Sequence, residues 1–228
     1  MGFDNYKGTE VAESGQETYT VDKQFSAIDE ELQPSLNSVL SSIDYELCEK
    51  HPLEHTWTLW HWQSDRKKCW EEMLSNVTSF NTVEDFFSVH YFIKPPSDLK
   101  AFNDYMVFKH DIRPMWEDVK NRKGGRWIFF LNRESKELVD NMWHDLLLCT
   151  LGESFEYPFQ ICGVVVNVRN KAAKISLWTK DSLNQHAILA IGRKIKEVLQ
   201  LCEGQLQYQV HSDAMIHTGP NCNALYKL

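Results

Sequence analysis

Ile161-Cys-Gly-Val-Val-Val-Asn-Val168 and Lys174-Ile-Ser-Leu-Trp-Thr179 carry the reading of the fold. Both are short, β-branched or aromatic runs, and the segment between them is a polar turn opened by Arg169 and closed by Lys174. That pattern is two strands across a tight turn. Working outward, Thr56–Trp62, Arg126–Leu131 and Gln205–His211 have the same character and read as further strands. Three helical segments are spaced between them. Val83–His90 follows Thr82, a residue suited to capping a helix start. Ser135–Leu151 carries Leu138, Met142 and Leu146 four apart, with Gly152 as its stop. Leu183–Leu201 has the clearest period, Leu183, Ala187, Ile191, Ile195 and Leu199, and ends near Gly204. Strands joined by short loops with helices between them predict an α+β fold, with helices stacked on one face of a largely antiparallel sheet. The other face is then free to hold a ligand.

Of the 228 residues, 43% are hydrophobic and 25% charged, a composition suited to a globular domain plus a tail. The net charge of -8 sits at one end. Residues 1–46 hold ten acids and two bases, while the remainder balances at 22 of each. The first 46 residues also lack tryptophan and are poor in aliphatics, so they read as a disordered acidic tail ahead of a folded domain at 47–228. A binder that tracks a long nucleic-acid backbone is excluded by the neutral domain, whereas a compact site with a few well-placed bases is not. No apolar run is long enough to span a membrane, and the polar N-terminus has no secretory h-region. Tyr6 stands where a myristoylation signal wants Ser or Thr. The six scattered cysteines form no C-x-x-C pair, which points to reduced thiols in the cytosol or nucleus.

Motifs of catalysis are missing. His51-Pro-Leu-Glu-His55 matches H-x-x-E-H, but that zinc pattern works only on a helix, and Pro52 with the strand-like run after it leaves no room for one. The sequon at Asn76-Val-Thr78 has no secretory route to serve it. No phosphate-binding glycine loop, dinucleotide fingerprint or nucleophile elbow occurs. Neither a metal nor a cofactor is therefore expected.

The tryptophans divide by context. Trp60, Trp127 and Trp143 sit in apolar strand or helix settings and read as core. Trp70 lies in Ser64-Asp-Arg-Lys-Lys-Cys-Trp-Glu-Glu72 and Trp116 in Arg113-Pro-Met-Trp-Glu-Asp118, both polar and loop-like. Each ring is either a loop anchor or a ligand platform. Two facing indoles can sandwich a flat base, each stack contributing about 1–3 kcal/mol. A cationic base gains about 0.5–2 kcal/mol more. Glu117, beside Trp116, can accept two hydrogen bonds from the Watson–Crick edge of a guanine. Arg169 and Lys174, across their tight turn, either grip a short phosphate chain or form a solvated hairpin end.

At this point the residues resemble a known family. His51–Leu53, Trp57-Thr-Leu-Trp60, Trp70, Thr82–Phe86, Pro114–Asp118, Gly124–Trp127, Gly152–Phe155, Cys162-Gly163, Val165–Arg169, Lys174-Ile175 and Leu177–Thr179 resemble eukaryotic translation initiation factor 4E, the mRNA cap-binding protein. The likeness runs in order over residues 47–228. It implies a curved sheet of about eight mainly antiparallel strands with three helices on the convex face, and a concave slot for 7-methylguanosine. It implies that Trp70 and Trp116 stack on the base, that Glu117 accepts its N1 and N2 donors, and that the Trp116 backbone N–H meets O6. Trp178 takes the methyl contact, and Arg169 and Lys174, helped by Arg126, take the phosphates. The likeness further implies a non-enzymatic, cytoplasmic factor that is a monomer outside the initiation complex. No carboxylate cluster of the kind a decapping hydrolase would use for a metal adjoins Arg169 or Lys174 in the sequence.

The resemblance also implies a back groove for Y-x-x-x-x-L-Φ helices of the scaffold and of inhibitory binding proteins. His51, Pro52, Val83, Leu148, Leu151 and Gly152 match it. Phe87 replaces the family's tryptophan and His144 a leucine, which removes an indole donor and places a polar ring in an apolar contact. Two functions follow: recruitment of capped mRNA for initiation, or cap-bound repression by a specialised form that holds the scaffold weakly. Pro220 stands at the family's regulatory phosphoserine, with Thr218 nearby and no bases in Asn221–Asn223, which argues against control by that phosphorylation.

Overall fold

A computed structural model describes residues 49–69, 71–216 and 224–228. The acidic segment 1–46, Trp70, Thr218, Pro220 and Asn221–Asn223 lie outside the described residues. The unit Lys50–Leu228 is built on one eight-stranded sheet. Its strands are β1 (Pro52–Gln63), β2 (Leu74–Thr82), β3 (Asn103–Lys109), β4 (Gly125–Asn132), β5 (Ile161–Val168), β6 (Ala172–Thr179), β7 (Gln207–Val210) and β8 (Tyr226–Lys227). They lie in the order β2-β1-β3-β5-β6-β4-β7-β8, every neighbouring pair antiparallel. The expected antiparallel α+β architecture is therefore present.

Helices α1 (Val83–Phe92), α2 (Lys136–Leu151), α3 (Gln185–Val198) and the short α4 (His211–Ile216) complete the unit. Thr82 caps α1 by accepting from the Asp85 backbone N–H, satisfying one of the donors a helix start leaves open. Asn184 does the same for α3 from Ala187. That cap corrects one expectation: Leu183 precedes the helix and is 91% exposed, while Ala187, Ile191, Ile195 and Leu199 are buried as the period requires. In α2 the buried stripe is Val139, Trp143, Leu146 and Leu147, so Leu138 points outward. His211, expected to end a strand, starts α4 instead.

Strand alternation sorts the side chains into two sets. Trp57 and Leu59 of β1, Tyr105 and Val107 of β3, Trp127 and Phe129 of β4, Val164 and Val166 of β5, and Ile175 and Leu177 of β6 form the main core with α1, α2 and α3. The Trp127 indole donates to the Ile188 carbonyl at 3.0 Å, pinning α3 to the sheet. Gly192 allows this approach, because a Cβ there would fall 2.3 Å from the Trp127 ring. The opposite face carries Met106, Phe108, Cys162, Val165 and Trp178, against which Trp60, Trp62 and Trp116 pack. Trp60 thus belongs to this second face and is half-buried, not part of the main core expected for it. The reason is the period of two, which separates it from Trp57 and Leu59.

Candidate functional site

Register alone assembles a row of functional side chains on the second face. Trp62 pairs with Asp104, Asp104 with Asn167, and Asn167 with Lys174. Four residues along the same ladder, Gly163 pairs with Trp178 and Trp178 with Arg126. Trp62, Asp104, Asn167, Lys174, Trp178 and Arg126, with Met106, Val165 and the Pro114–Glu117 loop, line a cleft of about 400 Å³ that also reaches Arg169. The cleft thus brings together Trp116, Glu117, Arg126, Arg169, Lys174 and Trp178, all expected site residues.

The loop that carries Trp116 is rigidly tied. Asn121 is fully buried, and its amide donates to the Arg113 and Met115 carbonyls, each at 2.8 Å. Asp118 accepts from the Arg113 backbone N–H at 3.1 Å and the Lys120 backbone N–H at 2.8 Å. Among the described residues no acceptor takes the Trp116 or Glu117 backbone N–H, so both remain able to meet a ligand. The Arg126 guanidinium lies 5.5 Å from the Trp116 ring centroid, a cation–π contact, and reaches Gln209 at 3.4 Å. The Glu117 carboxylate is exposed at the mouth.

The floor is Trp178, 5% exposed. Its ring meets Phe108 edge-on at 5.4 Å and His211 edge-on at 4.3 Å. Gly163, opposite both Phe108 and Trp178, makes room for this packing, since a Cβ there would sit 2.4 Å from the Phe108 ring. Burial, reinforced by repulsion from Arg126, pushes the His211 imidazole down to about 3, so the floor beneath the cleft stays neutral.

The far end is cationic. Asp104, almost wholly buried, accepts from both terminal nitrogens of Arg169 at 2.6 and 3.2 Å, from the Asn167 amide at 2.7 Å and from the Val168 backbone N–H at 3.2 Å. Arg169 also lies over Phe102, 5.7 Å from that ring centroid. Phe102 holds a left-handed backbone at φ 64°, a conformation uncommon outside glycine. Burial lowers the Lys174 amine to about 7, and the neighbouring Arg126 and Arg169 push in the same direction. Near pH 7 a group in that state is only partly charged, and a bound anion draws it to the charged form.

Three participants escaped the sequence reading: Trp62, Asp104 and Asn167. Alternation from Trp60 would have placed Trp62 on the open face, but nothing local marks Asp104, whose role depends on a partner 65 residues away.

The groove candidates lie on the helix side. Val83 donates its backbone N–H to the His51 carbonyl at 2.9 Å, and Glu84 accepts from the His51 ring at 2.7 Å and from its backbone N–H at 2.9 Å. Thus His51 and Pro52 are held against the start of α1. His55, the other histidine of the H-x-x-E-H stretch, faces Glu153 at 3.1 Å. Phe87 is 46% and Leu148 39% exposed, whereas Leu151 is buried in the core. His144 meets His90 of α1 at a ring-centroid distance of 4.8 Å. Gly152 ends α2, its N–H donating to the Leu148 carbonyl.

Comparison with known proteins agrees with this geometry. The family model of eukaryotic initiation factor 4E matches residues 52–224. Eukaryotic translation initiation factor 4E1 of Drosophila melanogaster is 51% identical over 180 residues, covering 78% of this chain and 70% of the relative. The solved structure of C. elegans eIF4E-3 with the 4E-binding protein Mextli and a cap analog superposes with a TM-score of 0.73 at 41% identity, over 79% of this chain and all of that one. Ascaris suum eIF4E-3 with an m2,2,7G cap gives 0.73 and 41% over 79% and 99%. The chain belongs to the eukaryotic initiation factor 4E family.

Proposed function

We propose that this protein binds the 7-methylguanosine cap of mRNA and brings capped message to translation initiation. One observation carries the reading: a single cleft holds an indole, an exposed carboxylate and the Arg126 guanidinium at one end and Arg169 with Lys174 at the other. Methylation at N7 leaves the purine positively charged, so it stacks on Trp116 and, from the opposite side, on Trp70 more strongly than neutral guanine does. Glu117 accepts from N1 and N2, the Trp116 backbone N–H donates to O6, and Trp178 contacts the methyl group. Arg126, Arg169 and Lys174 hold the phosphates, with Asp104 orienting Arg169. Every step is binding, so the protein works without catalysis, metal or cofactor, and as a monomer outside its complexes. The working compartment is the cytoplasm, and the nucleus is open to the same cap chemistry. Residues 47–228 are the binding domain, with 1–46 as a tail.

The test is retention on a 7-methyl-GTP resin with release by free 7-methyl-GTP but not GTP. Release by GTP at equal concentration contradicts the reading. A pH dependence follows from Lys174. Its amine is near half-charged at pH 7 in the free protein, and bound phosphate favours the charged form. The complex therefore carries more protons than the free protein above pH 7, and affinity falls as pH rises through that window. The methylated base loses its own N1 proton in the same range, so Lys174→Arg, always charged, serves as the reference. The wild type should take up more protons on binding than Lys174→Arg, read from binding enthalpy in buffers of different ionisation heat. Equal uptake contradicts the role.

The exposed Phe87 and the His90–His144 pair favour a second reading for the groove, in which scaffold helices bind weakly and the protein acts as a repressor or specialised form. Phe87→Trp is expected to raise affinity for a Y-x-x-x-x-L-Φ scaffold peptide about five- to tenfold, the worth of one buried hydrogen bond. Peptide capture that is already strong in the wild type and unchanged in the variant assigns the recruiting role instead.

A further inference from the structure

The β4–β6 ladder orders the cleft in a line. Trp178 and Arg126 are opposite one another at one end, and Lys174 and Phe130 are opposite one another four residues further on. Four residues of strand span about 13 Å. Residues opposed across an antiparallel pair share a face. Phe130 therefore stands on the open face beside Lys174, one strand outward from the cationic end of the cleft. Its ring is 60% exposed, and among the described residues no other ring and no cation covers it. A lone exposed aromatic is ordinary on a protein surface. Phe102, comparably exposed at 47%, is accounted for by the Arg169 guanidinium over it. What distinguishes Phe130 is its place at the end of the line.

A capped RNA laid along that line puts its methylated purine at Trp116 and Trp178 and its phosphates past Arg126 to Lys174 and Arg169. The next group in the ligand is a nucleoside, and it arrives where the sheet offers a bare ring. We propose that Phe130 is a stacking platform for the base of the first nucleoside after the triphosphate bridge, an inference that rests on the cap-binding reading above. Stacking on an aromatic ring is tolerant of base identity because every base has a π-face, with purines offering the larger area. The platform would thus favour capped RNA over the free cap nucleotide without selecting a sequence.

The test uses the full chain with two ligands, 7-methyl-GTP and the dinucleotide cap m7GpppA, titrated against wild type, Phe130→Ser and Phe130→Trp. Phe130→Ser is expected to weaken m7GpppA about five- to tenfold while 7-methyl-GTP stays within twofold. Phe130→Trp should retain the wild-type preference or exceed it. Unchanged m7GpppA affinity in Phe130→Ser overturns the platform, as does an equal loss for both ligands, which would mean a distorted cleft. Failure of wild type to bind either ligand overturns the cap reading itself, and that result is distinct from the other two.

Discussion

Trp116→Ala is expected to weaken 7-methyl-GTP binding about 100-fold while leaving the fold intact. The ring contributes one stack, about 1–3 kcal/mol, and its share of the cation–π attraction, about 0.5–2 kcal/mol. A loss of about 2.7 kcal/mol is a factor of 100. The loop should survive the change because Asn121 and Asp118 hold it through backbone groups, not through the indole. The same substitution removes the ring that Arg126 faces at 5.5 Å, while the second stacking ring, the Glu117 and Trp178 contacts and the phosphate grips remain. Binding measured by fluorescence quenching or calorimetry decides the matter, with circular dichroism confirming the fold. A loss below threefold would mean the indole does not stack on the ligand.

Asp104→Ala carries the largest expected effect on stability. Its carboxylate is buried and takes hydrogen bonds from Arg169, Asn167 and the Val168 backbone, all on the β5 side of the β3–β5 pair. Removing it strands an amide and a cation beside two further positive groups, Arg126 and Lys174. Breaking a buried pair costs about 3–5 kcal/mol, and the 40% exposure of Arg169 places this one at the lower end. The melting midpoint should fall by about 6–12 °C. Because Asp104 orients Arg169 toward the phosphates, 7-methyl-GTP should raise the midpoint of the variant by less than that of the wild type. A drop under 2 °C would mean that Arg169 is placed by Phe102 and the backbone without the carboxylate.

The parts of this molecule that can be read from sequence are those whose signal is local. β5 and β6 stand out because each carries an apolar run, Val164–Val166 and Ile175–Trp178, buried enough that the few polar residues, Asn167, Lys174 and Ser176, do not hide the strand pattern. β2 escapes notice because it is an edge strand with only Phe80 buried, and its Ser, Asn and Thr residues imitate a loop. β3 opens with Asn103 and Asp104, residues that signal a turn until their cross-strand partners are known. In the site, Trp116, Glu117, Arg169 and Lys174 are visible as chemistry out of place in their local context. Trp178 is not, because its strand context is that of an ordinary core residue, and only the family likeness singles it out. Trp62 follows from alternation along β1 once Trp60 is put on the open face, but Asp104 depends on register, a long-range property that no short window contains.

The groove side shows the same division. Thr82, Val83 and the His51-Pro52 pair are recognisable as a helix start and its neighbour, and the structure joins them through the His51–Glu84 contact. The meeting of His90 with His144 required the packing of α1 on α2, and burial beside His144 lowers the affinity of His90 for a proton. A neutral His90 keeps that part of the surface compatible with an apolar helix.

The most direct measurement is a paired titration of the protein's indole fluorescence with 7-methyl-GTP and with GTP. Two tryptophans stacking on a cationic purine should give deep quenching and an affinity for the methylated nucleotide about 10- to 30-fold above that for GTP. Equal affinity for the two nucleotides, or saturation without quenching, would contradict a stacked and charged base in this cleft.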